Sequence, residues 1–196
     1  TMNARISDKP LSDEGYDELA AYTVKDAVKT VAPQTKKEYG DKNAEYTVAF
    51  WNFGSKKSTI DNLVAQGCRV IDMPAFSTSE EILATGADGV MLGDGAGDPE
   101  ENAAIVAEVK KTLGKKPVFG VGLGHQLVAV ALGAETAKQK YGHRGGNQPV
   151  KCLENGKVYI SSQNHGYEVM TDTVKEGEIS FVNVNDGSCE GIDYDR

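Results

Sequence analysis

The sequence predicts an α/β domain with a mostly parallel central sheet and an antiparallel extension. Three observations carry this prediction. Apolar strand-like runs alternate with helical patterns from residue 46 onward, a glycine-rich corner turns a strand into a helix at Gly122, and the pair Asn155-Gly156 separates two later strand-like runs. Alternation of this kind is typical of βαβ units, whereas Asn-Gly between two apolar runs is typical of a β-hairpin.

The alternating segment defines the predicted parallel sheet. Strands are predicted at 46–52, 68–73 and 88–92, and helices at 58–66, at 79–84 and around 103–109. Gly67 is placed to end the first of these helices and Ser79 to cap the second. Because the crossovers of such units are right-handed, polar groups at the carboxyl ends of the strands gather at one edge of the sheet.

The first 45 residues are polar and rich in lysine, with one predicted helix around Val24–Val31 that Pro33 would close. We interpret residues 1–45 as a connector. Residues 46–196 are then the functional domain.

The glycine-rich corner has the pattern of a nucleophile elbow. Pro117–Val121 predicts a short buried strand, and Leu127, Val128 and Ala131 recur at helical spacing after it. In an elbow of the form G-x-Nuc-x-G the middle residue lies on a strained turn, and the N–H of the next residue is free to bind an oxyanion. The middle residue here is Gly122, so the elbow has no nucleophile.

Three interpretations of this corner remain open from the residues alone. It is either an altered catalytic elbow, a purely structural tight turn, or an anion site at a helix N-terminus. The dinucleotide-binding fingerprint fails, because the position of its third glycine holds Leu127 or His125, depending on the register.

A second glycine-rich loop, Gly93-Asp-Gly-Ala-Gly-Asp-Pro99, follows the third predicted strand. Its glycines allow backbone N–H groups to converge, and Pro99 suits a first helical turn. Taken alone it is equally typical of a plain turn. Beside the elbow of a neighbouring strand, however, it would complete an oxyanion hole at one rim of the sheet.

Composition excludes several classes of function. The net charge of −8 argues against non-specific nucleic-acid binding, and no apolar stretch reaches the length of a membrane span. The three cysteines, Cys68, Cys152 and Cys189, include no C-x-x-C pair, so neither a disulfide framework nor a zinc site is indicated. We expect a cytoplasmic protein, since the N-terminus has no signal-peptide core. We also expect neither a metal nor a cofactor.

Three motifs together carry a resemblance to a known family. They are the run Gly122-Leu-Gly-His-Gln126, the predicted loop Gly142-His-Arg-Gly-Gly-Asn-Gln-Pro-Val150 and the predicted turn Ser162-Gln-Asn-His-Gly-Tyr167. In this order they resemble the glutaminase domain of the small subunit of carbamoyl-phosphate synthase, which is a class I glutamine amidotransferase. The resemblance covers roughly residues 46–196, and it implies that residues 1–45 are the linker from an N-terminal domain that is missing here. It implies a three-layer α/β fold.

The resemblance also implies roles for individual residues. In that family a cysteine, here at the position of Gly122, attacks glutamine, and the released ammonia passes to a large synthetase subunit that makes carbamoyl phosphate. The positions that form the oxyanion hole are Gly95 and Leu123. The positions that hold glutamine, besides those two, are Gly97, Gln126, Asn164, Gly166 and Tyr167.

The chain departs from the family pattern around this site. The thiol is missing at Gly122, and the His-x-Glu pair that activates it would lie after Arg196. Asn52 stands where the family has Asp, and Ser58 stands where it has Asn. The loop that is S-N-G-P-G-D-P in the family is Gly93-Asp-Gly-Ala-Gly-Asp-Pro99 in this sequence. We therefore expect a domain that retains part of a glutamine site without hydrolysing glutamine. The rivals are a non-catalytic module that docks on the large subunit of a synthetase, and an active enzyme whose sequence is incomplete or altered.

Overall fold

The structure is a computed structural model that describes residues 3–194. Residues 1, 2, 195 and 196, where the predicted connector starts and the predicted domain ends, lie outside the described residues. The helices are α1 (Asp13–Ala21), α2 (Ala27–Val31), α3 (Lys57–Ala65), α4 (Ser79–Leu83), α5 (Ala103–Thr112) and α6 (Leu123–Ala131). Short 3-10 helices cover Pro99–Asn102 and Thr171–Thr173. None of the helices within 3–194 has the length and apolar content needed to cross a bilayer.

Within residues 3–194 the strands form two sheets. They are β1 (Lys37–Tyr39), β2 (Tyr46–Phe53), β3 (Cys68–Pro74), β4 (Gly89–Gly95), β5 (Val118–Gly120), β6 (Thr136–Cys152), β7 (Val158–Val169), β8 (Glu178–Asn183) and β9 (Cys189–Asp193). The first sheet has the order β1-β3-β2-β4-β5, and only β1 is antiparallel to its neighbour. The second has the order β7-β6-β8-β9 and is antiparallel throughout. The predicted α/β class, with a mostly parallel sheet and an antiparallel addition, is confirmed.

Helices cover both faces of the parallel sheet. Alternate residues of β2 point to opposite faces, because successive side chains of a strand do so. Trp51 joins a core with Ile105 of α5 and Leu127 of α6, whereas Phe50 packs in a separate cluster with Ile60 of α3. The result is the three-layer arrangement that the resemblance implies.

Helix α6 lies between the two sheets and so fixes the position of the elbow. Leu127 is fully buried against the parallel sheet, while Ala129 packs with Val169 and Cys189 of the antiparallel sheet. The surface where the sheets meet therefore lies beside the N-terminus of α6.

Part of the predicted connector packs on the domain. Helix α2 falls within the predicted helix, and its Val28 is buried in the main core. Strand β1 pairs with β3. Neither β1 nor helix α1 is evident from the sequence pattern; Ser12 caps α1 by accepting the N–H of Gly15.

Three local predictions were wrong. Thr78, not Ser79, caps α4, through a reciprocal capping box with Glu81. Strand β5 is not buried, since Phe119 is 65% exposed; it is an edge strand that pairs only with β4 in the described chain. The polar motifs predicted as a loop at 142–150 and a turn at 162–167 lie within β6 and β7, whose pairing absorbs the glycines through register shifts.

Candidate functional site

The elbow forms where the sequence predicts it, at the carboxyl end of β5. Gly122 has φ 56° and ψ −117° and directly precedes α6. This conformation strains any residue with a side chain. The flanking Gly124 is needed for close packing, because a Cβ there would lie 2.3 Å from the carbonyl oxygen of Leu92 on β4.

The two predicted oxyanion-hole donors converge on one atom. The N–H of Gly95 and the N–H of Leu123 both donate to Oδ1 of Asp94, over 2.8 and 3.2 Å. The carboxyl end of β4 and the start of α6, which follows the neighbouring parallel strand β5, therefore meet at one rim of the sheet. The acceptor that the donors share is a side chain of the protein.

A cavity of about 740 Å³ opens beside this point, between the elbow and the antiparallel sheet. Four of the predicted site residues line it, and they are Gly122, Gln126, Asn164 and Tyr167. Asp94 lines it as well, so the shared acceptor of the two N–H groups faces the cavity. Leu123 and Gly95 lie behind this acceptor.

The polar side chains at the cavity have different surroundings. Gln126 is buried and donates its side-chain N–H to the main-chain oxygen of Tyr167 over 2.8 Å. Asn164 is exposed at the cavity wall. Burial, and then the neighbouring carboxylate of Asp98, raises the pKa of the Tyr167 hydroxyl, so this group stays protonated at neutral pH.

Gly97 and Gly166 are not among the residues that line the cavity. Gly97 has φ 93°, and a Cβ there would lie 2.7 Å from Cβ of Ala27, so this glycine allows α2 to pack against the loop. A Cβ on Gly166 would lie 3.4 Å from Nη2 of Arg144.

His125 is the histidine nearest the elbow in sequence, and it lines the cavity. Its Nε2 atom is buried and has no hydrogen-bond partner among residues 3–194. Burial lowers the pKa of this imidazole below its usual value, so His125 is neutral at pH 7.

A second polar cluster joins the motifs at 142–150 and 162–167, and the sequence pattern did not predict it. His143 of β6, His165 of β7 and Glu190 of β9 each bring one metal-ligating atom within 4.8 Å of the others. The only signal in the sequence was the presence of a histidine in each motif. Their convergence depends on the register of three strands.

The ring nitrogens of this cluster already have partners. Nε2 and Nδ1 of His143 lie 2.8 and 3.2 Å from the carboxylates of Asp186 and Glu190. Nδ1 of His165 lies 2.9 Å from the main-chain oxygen of Tyr167, and its Nε2 lies 3.0 Å from Oε1 of Gln163. A divalent cation could take ligands here only by displacing these hydrogen bonds. The cluster therefore acts as a hydrogen-bond network that holds β6, β7 and β9 in register.

Another buried polar pair lies at the carboxyl end of β2. The amide of Asn52 donates to Oδ1 of Asp72 over 2.9 Å, and its oxygen accepts the N–H groups of Gly54 and Ser55. Burial raises the pKa of the Asp72 carboxyl, against the hydrogen bond from Asn52 that lowers it. Asn52, which is one of the positions where the sequence departs from the family pattern, thus fixes the turn that follows β2.

Comparison with known proteins identifies curated relatives. The chain is 46% identical to the carbamoyl phosphate synthase small chain of Clostridium perfringens, over 96% of this chain and 53% of that protein. It is 41% identical to the small chain of Methanococcus maripaludis, over 96% of this chain and 54% of that protein. The chain therefore spans about half the length of the curated relatives that it matches. The resemblance inferred from the motifs is confirmed.

Solved structures support the fold independently. A putative GMP synthase subunit from Thermoplasma acidophilum superposes with a TM-score of 0.64 at 18% identity, covering 76% of this chain and 78% of that one. A glutamine amidotransferase from Thermotoga maritima gives a TM-score of 0.58 at 19% identity, covering 76% and 70%. The class-I glutamine amidotransferase family model matches residues 50–196. The chain belongs to the class-I glutamine amidotransferase family.

Proposed function

We propose that the chain is the glutamine amidotransferase domain of a carbamoyl phosphate synthase small chain, with a pocket that binds glutamine but does not hydrolyse it. The names of the curated relatives support the first part. The observation that carries the second is Gly122, which occupies the strained elbow position and offers no nucleophilic atom. Attack by a positioned nucleophile is the step that the residue at this position would perform.

The cysteines of the chain do not replace the missing thiol. Cys152 and Cys189 are buried, and Cys189 alone of the three lines the cavity. Burial raises the pKa of Cys189 to about 11. Because the thiolate is the nucleophilic form, this side chain is unreactive at neutral pH.

The proposed glutamine site uses the groups at the cavity mouth. Asn164 and Tyr167 present polar groups from β7, Gln126 presents its amide from α6, and the N–H groups of Gly95 and Leu123 lie at the elbow end. These groups are few and the cavity is open to water, where each hydrogen bond contributes only about 0.5–1.5 kcal/mol. We expect glutamine to bind no more tightly than the millimolar range.

The proposed partner is the large subunit of a synthetase, which the names of the relatives imply. A non-catalytic docking role is the second candidate function. It is favoured by exposed apolar side chains on strand edges, namely Phe119 on β5 and Val158, Tyr159 and Ile160 on β7. Such residues on edge strands are suited to contact another chain.

Two measurements test the proposal. A glutamate-release assay on the purified chain should show no turnover above the uncatalysed rate, and glutamate release that survives replacement of all three cysteines would contradict the proposed chemistry. Titration calorimetry with glutamine should show weak binding that Asn164→Ala weakens further. Asn155→Ala, which changes an exposed asparagine in the distant hairpin turn, serves as the matched control. Unchanged binding in Asn164→Ala, or none in the parent chain, would favour the docking role.

A further inference from the structure

The two N–H groups predicted to form an oxyanion hole already bind one of the protein's own side chains. Oδ1 of Asp94 receives the N–H groups of Gly95 and Leu123 over 2.8 and 3.2 Å. Donors of an oxyanion hole lie about 2.7–3.1 Å from the oxygen they stabilise. The carboxylate oxygen of Asp94 therefore lies where the oxygen of a bound substrate would be.

The same carboxylate occupies the space of a side chain at the elbow. A Cβ built on Gly122 would lie 2.1 Å from Oδ1 of Asp94 and 2.7 Å from its Cγ. Contacts this short do not occur between real atoms. A side chain at position 122 and the observed conformation of Asp94 are therefore mutually exclusive.

The carboxylate also completes the start of α6. The first N–H groups of a helix have no partner within the helix, and Gly122, the N-cap residue, has no side chain to supply one. Asp94 supplies the acceptor from β4, and its negative charge is favourable at a helix N-terminus. Substitution at position 94 is tolerated by the packing, because this residue is exposed.

We infer that Asp94 is the resident occupant of the oxyanion hole and determines which ligands the pocket accepts. A ligand oxygen reaches the two N–H groups only after the carboxylate has moved away. A neutral carboxamide oxygen is a weaker acceptor than a carboxylate, so glutamine does not displace it easily. By the same geometry, a nucleophilic side chain at position 122 would fit only if the carboxylate of Asp94 moved or residue 94 were replaced.

A double-mutant cycle tests this contact directly. The change in melting temperature that Gly122→Ala causes is measured in three backgrounds: the parent, Asp94→Ala and Asp94→Asn. Backbone strain at φ 56° is the same in every background, so any difference reports the contact with position 94. We expect Gly122→Ala to lower the melting temperature by about 2–4 °C more in the parent than in Asp94→Ala, because in the parent it also displaces the Asp94 carboxylate from the two N–H groups. Asp94→Asn keeps an oxygen in place and should retain the larger loss.

Gly133→Ala is the matched control for the cycle. Gly133 follows the same helix with φ 89°, and a Cβ built on it would have no neighbour within 4 Å, so the cost of the change should be equal in all backgrounds. Equal costs of Gly122→Ala in the parent and in Asp94→Ala would overturn the inference. Failure of Gly122→Ala to fold in the parent, with folding of the double variant Asp94→Ala/Gly122→Ala, would support it.

Amide NMR gives a second readout that needs no change at the elbow. In Asp94→Ala the amide protons of Leu123 and Gly95 should shift upfield and exchange faster, because they lose a charge-assisted hydrogen bond, while the amide of Gly133 stays unchanged. Unchanged signals of Leu123 and Gly95 would contradict the inference. The inference about Asp94 rests on the proposed function only because it treats the N–H groups of Gly95 and Leu123 as the oxyanion hole of an amidotransferase pocket. Neither experiment uses glutamine, so absence of glutamine binding would overturn the proposed function alone.

Discussion

Gln126 on α6 donates its side-chain N–H to the main-chain oxygen of Tyr167 on β7, over 2.8 Å. This hydrogen bond joins the elbow helix to the antiparallel sheet, and both residues line the cavity. The geometry of the candidate site therefore depends on a contact between segments 41 residues apart.

The first prediction concerns this contact. Gln126→Ala should lower the free energy of unfolding by about 0.5–1.5 kcal/mol, because it removes the hydrogen bond between α6 and β7, while Nδ1 of His165 still lies 2.9 Å from the oxygen of Tyr167. Asn164→Ala should change it by less than about 0.5 kcal/mol, since Asn164 is exposed. Urea denaturation compares the two. Both changes should weaken glutamine binding, so equal losses of stability would contradict the structural role of Gln126.

The second prediction concerns ligand binding at the oxyanion hole. Asp94→Ala frees the N–H groups of Gly95 and Leu123 and should strengthen glutamine binding about fivefold, the equivalent of about 1 kcal/mol for one hydrogen bond. Asp61→Ala removes the same charge on the distant helix α3 and serves as the control. Calorimetric titration measures both variants, and an affinity that rises equally in both would assign the gain to net charge.

The third prediction concerns the glycines of the elbow. Gly124→Ala should lower the free energy of unfolding by about 3 kcal/mol or more, because its Cβ would lie 2.3 Å from the carbonyl oxygen of Leu92. Gly86→Ala is a matched control with φ 71° and nothing within 4 Å, so only backbone strain of about 1 kcal/mol applies. Thermal or urea denaturation that ranks Gly86→Ala as the more damaging change would disprove the close approach of α6 to β4.

The fourth prediction follows from the raised pKa of Asp72. A carboxyl whose pKa is higher in the folded state than its usual value of 3.8 costs stability once it ionises. This cost is absent well below pH 3.8 and develops as the pH rises through the folded-state pKa. Asp72→Asn removes it. The stability of Asp72→Asn relative to the parent should therefore increase as the pH is raised from about 4 to 7.

Asn52→Asp tests the same pair in the opposite sense. It would place a second carboxyl 2.9 Å from the first, where two negative charges repel each other and one proton is retained. Its stability relative to the parent should decrease over the same pH range. Urea denaturation at several pH values measures both variants, and a difference from the parent that does not vary with pH would show that Asp72 is not ionising in this window.

The sequence by itself determined the features that are encoded over short distances. The alternation that predicts β2, α3 and β3 is visible in consecutive residues, because periodicity reflects which face of each element is buried. The strand, elbow and helix around Gly122 were equally clear, since a turn of this kind needs glycines at fixed positions. The motifs that carry the family resemblance are also local.

Only the tertiary structure decided what these segments bring together. The exposure of β5 and the pairing of β1 with β3 depend on strand order, which local patterns do not contain. The cluster of His143, His165 and Glu190 depends on the register of the antiparallel sheet. The occupation of the proposed oxyanion hole depends on one rotamer of Asp94, whose carboxylate accepts the N–H of Leu123, 29 residues away. Side-chain conformation at such a contact is set by packing and hydrogen bonds between distant segments, so the sequence pattern alone does not fix it.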